Sequence, residues 1–379
     1  MYQTTIIVNL TAVLETLNQI LTAGVTITAV ALLMYASGFN WRDRIAQTFG
    51  LILICVVLIY SSETIAAISE QYLIIQFWLR LKWTGLVMLP AVYLHFSDVV
   101  LTLTGRPSRG RRRKVVYAVY AISIVMAVLV WFGITVGGLA AKKAPMFYLE
   151  RNQVTYWFGW FYLLVMFLAS TNLIRATRRS ITKTSRRRLI YLLAGAAIPA
   201  LTSILFLFHG NVFLAAHPNL FWLTSIVFAG ITMPTLVVMA YVVSFFGLTW
   251  TDRAIKSRLL RWLLRGPFVV SIVLGLTTLV RRYGLSQGDP YNQYIPVVMV
   301  SSMLVLQYLI NVLSPKLEQK LFWGDEKGDF EIIQNLQDRM LTKKDLNQFL
   351  ETIVATICDR VQSPGCFIVV YDAGKVESI

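Results

Sequence analysis

Long apolar stretches dominate the first 314 residues of this chain and limit the folds that it can adopt. A helix needs about 20 mostly apolar residues to cross a bilayer. Nine stretches approach or exceed that length, although the third carries charges and the eighth is short. Only 14% of the residues are charged, against about 25% in soluble domains. We therefore predict an all-α polytopic membrane bundle of about nine spans, at residues 13–35, 46–67, 74–102, 115–138, 155–174, 189–209, 219–246, 267–280 and 293–313.

The placement of Lys and Arg predicts which side of the membrane each loop faces, because basic groups near helix ends are retained in the cytoplasm. With the N-terminus outside, the inner loops hold 20 basic residues and the outer segments hold 5. The inner loops are residues 36–45, 103–114, 175–188 and 247–266, and the last of them has the spacing of an amphipathic surface helix. This asymmetry predicts a multi-pass protein of the inner (plasma) membrane with a cytoplasmic C-terminal domain.

The net charge of +16 does not indicate a nucleic-acid partner, because the excess belongs to the membrane region. Residues 1–314 hold 27 basic and 8 acidic groups, whereas residues 315–379 hold 8 and 11. Membrane topology and contact with anionic lipids explain the basic runs at 109–114 and 185–188, and a specific partner is the alternative. The first 41 residues contain no basic group, so we expect the first helix to remain in the mature protein.

After residue 314 the pattern becomes that of a soluble segment. Residues 315–343 predict a cytoplasmic helical connector, whose apolar seam consists of Phe330, Ile333, Leu336 and Met340. This seam is too narrow to be buried within one chain, so we expect a homodimer paired through the connector. Residues 344–379 predict an amphipathic helix, a strand over 366–371, a turn, and a second strand from Lys375. These elements are too few to enclose a hydrophobic core, and the chain is expected to end inside this domain.

Two parts of the sequence resemble known families. The segments LTKKDLNQFLETIVATICDRV at 341–361 and GCFIVVYDAGKVESI at 365–379 resemble the opening helix and first two strands of a GAF domain, which makes the tail a truncated α+β domain. The run FWLRLKWTGLVMLPAVYLHFSD at 77–98 resembles the seven-helix N-terminal sensor region of bacterial histidine kinases.

The second resemblance implies a sensor of a two-component system that relays a ligand or membrane signal through the connector to the GAF module and to downstream signalling domains. No His follows residue 217, so this chain lacks a phospho-accepting helix and its status as an enzyme stays open. A transporter or an integral membrane enzyme is the alternative, and His95 with Asp98 is the nearest approach to a catalytic pair.

Charged residues near the outer end of the third span are candidates for function, because charges at membrane depth are costly. One interpretation pairs Arg80 with Glu63 and so holds two helices together. The other makes Arg80 the anchor of an outward-facing pocket for an anionic or polar ligand. Solvation at the interface explains Glu15, Asn18 and Gln19 near the outer end of the first span, and a place in the wall of the same pocket is the alternative. We predict that Arg80→Ala weakens the response or folding more than Lys82→Ala, because a guanidinium forms bidentate contacts with carboxylates whereas an ammonium near the interface snorkels.

Aromatic side chains are concentrated in the outer segment 144–161. An interfacial aromatic belt explains most of them, and a lid over a ligand site is the alternative. Together with the charged residues they complete the predicted ligand site, which consists of Arg80, Glu63, Trp83, Tyr156, Trp157 and Trp160.

No metal or cofactor site is predicted. His95, His209 and His217 are scattered and lack a second ligand at metal-binding spacing. No Lys lies within 219–246 or 293–313, which excludes the Schiff base of a retinal photoreceptor. The expected partners are the bilayer, an unknown small ligand, a second copy of the chain and downstream signalling domains.

Overall fold

The structure is a computed structural model of the 379-residue chain. It describes residues 2–40, 43–103, 110–140, 146–179, 186–187, 189–196, 203, 217–243, 259–286, 291–322, 351, 354, 369–372 and 375–378. The chain forms two compact units, Met1–Asn311 and Val312–Ile379.

The first half of the membrane region contains five long helices and one hairpin. The helices are α1 (Tyr2–Asn40), α2 (Arg44–Ile68), α3 (Tyr72–Leu103), α4 (Arg111–Trp131) and α5 (Gln153–Arg179). Strands β1 (Val136–Leu139) and β2 (Leu149–Arg151) pair antiparallel between α4 and α5. The predicted fourth span at 115–138 was therefore too long, because its last residues turn back and enter β1 with Val136 and Leu139 buried.

The second half contains a short helical segment, α6 (189–196), followed by α7 (Pro218–Val243), α8 (Val269–Ser286) and α9 (Ile295–Phe322). A π-helical turn at Leu264–Phe268 leads directly into α8. Pro267 has no N–H for the regular ladder, and a π turn tolerates its absence. The eighth span is thus longer than predicted, covering Leu259–Leu285, and the end of the predicted amphipathic stretch continues into it.

Eight helices within the described residues are long and apolar enough to cross a membrane. The predicted sixth span at 189–209 lies mostly outside the described residues. The connector seam and most of the predicted GAF helix also lie outside the described residues. In the second unit, β3 (Val369–Asp372) and β4 (Lys375–Ser378) pair antiparallel. They overlap the two predicted strands, and the rest of the predicted turn after Asp372 lies outside the described residues.

Helices α1, α2 and α3 form the centre of the first unit. Helix α2 packs between α1 and α3, while α3 also contacts α4 and α5, and α1 also contacts α7 and α8. The core contains fully buried aromatic side chains such as Phe49, Tyr93 and Phe96. Asp43 is the N-cap residue of α2, and its side chain accepts a hydrogen bond from the Ile45 amide at 3.4 Å. Burial raises the pKa of its carboxyl group.

Candidate functional site

A buried ion pair joins α2 to α3. Lys82 Nζ lies 3.1 Å from Glu63 Oε2, and the two residues are only 5% and 1% exposed. The predicted Arg80–Glu63 pair is therefore wrong. The buried face of α3 is formed by Leu79, Lys82 and Trp83, whose i, i+3, i+4 spacing directs Lys82 toward α2 and Arg80 to one side.

Arg80 has a different partner, at the end of α4. Its Nη1 donates a hydrogen bond of 3.1 Å to the carbonyl oxygen of Trp131, the last residue of that helix. Carbonyl groups in the last turn of a helix have no intrahelical partner and carry partial negative charge. Arg80 therefore caps α4 and ties it to α3.

An outer cavity lies where the ends of four helices meet. These ends are the first part of α1, the last turns of α2, the beginning of α3 and the beginning of α7. They lie on the side of the bundle that the loop charges predict to be outside. The cavity is small, with a volume of about 40 Å³, which is room for roughly three water molecules. Its lining consists of Glu15, Asn18, Gln19, Thr22, Glu63, Ala66, Ala67, Leu79, Met146, Phe147 and Trp222.

The cavity brings together some of the predicted site residues and leaves others out. Glu63 lines it with Glu15, Asn18 and Gln19, for which a place in this pocket was the alternative to solvation at the interface. Of the other predicted residues, Trp83 packs edge-on against Phe158 at 6.4 Å between ring centroids. The described lining does not include Trp83 or Arg80.

The three aromatic residues predicted on α5 also lie away from the cavity. Tyr156, Trp157 and Trp160 are 63%, 69% and 72% exposed, and they form the outward face of that helix. Such exposure at the outer end of a span is typical of an interfacial aromatic belt. From the same aromatic segment, Met146 and Phe147 do reach the cavity.

Besides Glu63 Oε2, which faces Lys82, two buried oxygen atoms in the cavity wall have no hydrogen-bond partner among the described residues. They are Asn18 Oδ1 and Glu63 Oε1, on residues 2% and 1% exposed. Other polar groups of α1 are occupied: Thr22 donates to the Gln19 carbonyl at 3.0 Å, and Arg282 of α8 donates to Gln19 Oε1 at 3.0 Å. Unpaired buried acceptors are costly, so the cavity wall favours an occupant that donates hydrogen bonds.

Sequence reasoning ranked Lys82 below Arg80, and it did not place Trp222 or Arg282 in the site. The spacing on α3 contained a signal for Lys82, since it lies three residues after Leu79 and one before Trp83 on an apolar face. Arg282 was counted only as an outer charge. The position of Trp222 depends on the packing of α7 against α1, which no local pattern encodes.

Helices α2, α3 and α4 form a second, wider cavity of about 790 Å³ at the end of the bundle that the loop charges predict to be inside. His95 Nδ1 lies 3.2 Å from the Tyr120 hydroxyl, and both line this cavity with Asp98, Arg44 and Arg113. Across the described parts of the chain, no group of three or more His, Cys, Asp or Glu side chains could hold a metal ion.

Comparison with known proteins identifies one family. The model of a family described as the N-terminal 7TM region of histidine kinase matches residues 24–233, more than half of the chain. The matched range begins within α1 and ends within α7, so α8 and α9 follow it. No curated protein matches the chain.

Proposed function

The chain belongs to the family of N-terminal 7TM regions of histidine kinases, and we propose that it detects a small ligand in its outer cavity and relays the signal to a cytoplasmic module. Family membership is the observation that carries this proposal, because it makes the chain a membrane sensor region. The cavity adds a place for the stimulus, since its walls come from helices that pack on one another.

The contacts of α1 suggest how the signal leaves the cavity. Arg282 of α8 donates to the Ala12 carbonyl at 3.1 Å, and Trp262 donates to the Ala31 carbonyl at 3.1 Å. Arg265, in the π turn before α8, donates to Asn311 of α9 at 3.4 Å. If α1 has two arrangements, a ligand that binds one of them better increases the population of that arrangement at the expense of the other. The contacts of α1 would then transmit the change to α8 and α9.

The connector and the GAF-like segment supply the cytoplasmic end of the proposal. The seam of Phe330, Ile333, Leu336 and Met340 would pair two copies of the chain in parallel. Such pairing would hold two GAF-like segments side by side, next to whatever signalling domains follow them. The sequence of the tail and the β3–β4 hairpin support this assignment.

Single cysteines in the connector test the relay. In a background lacking Cys358 and Cys366, cysteines at 333 or 336 are expected to crosslink two chains strongly, and cysteines at 334 or 338 only weakly. Replacing Asn18 in the cavity wall by Leu should change the yield at 333, because the cavity and the connector are proposed to be coupled.

The pattern across the four positions decides between the possible results of that experiment. Equal yields at all four positions, or no crosslinking, would mean that the segment is a simple linker. A normal seam pattern that does not respond to Asn18→Leu would support the dimer and remove the relay.

The proposed orientation has its own test. Cysteines at 145 and 330, introduced one at a time, are expected to be labelled from opposite sides of the membrane, with 145 outside. The reason is the excess of basic residues in the inner loops. Labelling of both positions from the same side would refute the odd number of spans.

A further inference from the structure

We propose that the outer cavity binds a small organic ammonium ligand, a protonated amine with a short apolar body. This inference names the ligand class for the site of the proposed function and rests on that function only for its signalling consequence. The observation behind it is the juxtaposition of unpaired buried acceptors with aromatic and apolar walls.

The cavity wall contains unpaired acceptor atoms. Asn18 Oδ1 on α1 and Glu63 Oε1 on α2 both belong to residues that line the cavity, and neither has a hydrogen-bond partner. The two residues are at least nine-tenths buried. An ammonium group has several N–H donors and no acceptor, so it supplies the donors that these atoms lack, whereas a carboxylate or phosphate would leave them unpaired.

The charges around the cavity favour the same ligand. Glu15 and Glu63 line it, and Lys82 on α3 lies with its Nζ 3.1 Å from Glu63 Oε2. The other nearby cation, Arg282 on α8, donates to Gln19 Oε1 and the Ala12 carbonyl. Both cations are engaged with oxygen atoms of the protein, so an anionic ligand would meet mainly acceptors.

The remaining walls suit an alkyl body. Trp222, Phe147, Leu79 and Ala66 line the cavity, and Trp222 is 4% exposed. Aromatic faces attract a cation electrostatically, most strongly when the site is shielded from water. A bare metal ion would gain little from such walls. The combination of polar and apolar lining therefore favours an amine that carries carbon over an inorganic cation.

The test uses the full chain, purified in detergent, with n-propylammonium chloride as the probe. The unfolding temperature is followed by tryptophan fluorescence. Because a ligand that binds only the folded state stabilises it, we expect a saturable rise of about 2–4 °C. Sodium propionate, which has a similar body and the opposite charge, and sodium or potassium chloride at equal ionic strength should give no such rise.

Three variants locate the effect. Asn18→Leu removes one acceptor at similar volume, and Glu15→Gln removes a carboxylate from the cavity wall. Each should raise the propylammonium concentration at half-maximal stabilisation about tenfold, which is the effect of losing one charge-assisted hydrogen bond. Glu70→Gln changes an exposed carboxylate that is not part of the lining, and it should bind like the unmodified chain.

Each alternative result overturns the inference in a different way. An equal rise with potassium chloride would assign the cavity to an inorganic cation, and a rise with propionate would assign it to anions. No rise with any probe would mean that water fills the cavity. Binding without any change in crosslinking at 333 would refute the sensor function and leave the ligand class intact, so the two failures are distinguishable.

Discussion

Replacing Lys82 by methionine is expected to lower the free energy of unfolding by about 3–5 kcal/mol. The substitution keeps the length and apolar stem of the side chain but removes the charge that faces Glu63. Glu63 is 1% exposed, so its carboxylate would remain buried without a counter-ion. The loss should be visible as a lower midpoint of unfolding in the purified chain.

The double variant identifies the cause. A buried pair that is replaced as a whole by apolar side chains often costs little, because neither charge has to be desolvated. We therefore expect Lys82→Met combined with Glu63→Leu to recover most of the stability lost in Lys82→Met alone. A double-mutant cycle measures that recovery as a coupling energy. Additive losses would contradict an electrostatic origin and indicate that Lys82 acts through packing.

Arg80→Ala is the matched control on the same helix. Arg80 is only partly buried, and the variant removes its hydrogen bond to the Trp131 carbonyl, which is worth about 1–2 kcal/mol. We expect the Lys82 variant to lose more stability than Arg80→Ala, which is the reverse of the order predicted from the sequence. If both variants lost equal stability, the ion pair would not dominate the packing of α2 on α3.

The reversed order of Lys82 and Arg80 shows that some contacts could not be predicted from the sequence, whereas the long apolar helices could. Apolar length was sufficient to find the eight long apolar helices of the described residues, because a bilayer demands such length of every crossing helix. It misplaced the end of the fourth span, since Val136 and Leu139 are apolar in a strand as they would be in a helix. Length is a coarse signal that does not report where a helix stops.

The composition of the cavity was predictable in part for a physical reason. Glu15, Asn18 and Gln19 lie at one end of the first span and Glu63 at the same end of the second. Consecutive spans run antiparallel, so these residues had to share one side of the membrane. Which of two neighbouring cations faces Glu63 depends on the rotation of α3 about its axis. That rotation is set by packing against α2, α4 and α5.

One close contact between α2 and α3 leads to the second large prediction. Gly85 lies one turn after Lys82. A Cβ atom added there would lie 3.0 Å from Leu58 Cβ, 3.1 Å from the Cys55 carbonyl oxygen and 3.2 Å from Ile59 Cγ1. One of these neighbours is backbone, which cannot rotate away. Small residues allow membrane helices to approach closely in this way.

Gly85→Ala is expected to cost about 1–3 kcal/mol in the free energy of unfolding, the usual range for overpacking a close contact. The loss should appear although alanine is the better helix former by about 1 kcal/mol. Gly159→Ala on α5 is the control, since a Cβ atom there meets nothing within 4 Å; it should be neutral or stabilising. Equal stability of the two alanine variants would contradict the close contact.

Gly85→Leu should lower the free energy of unfolding more than Gly85→Ala does. Combining it with the ion-pair variants identifies the reason. A leucine at this position has to push α2 and α3 apart, and Lys82 and Glu63 would then separate and leave two buried charges uncompensated. The same substitution in the Lys82→Met, Glu63→Leu background has no pair to break, so the additional loss there should be smaller by about 2–3 kcal/mol. Equal losses in both backgrounds would mean that Gly85→Leu acts through local overpacking alone, and that the pair survives the displacement of its helices.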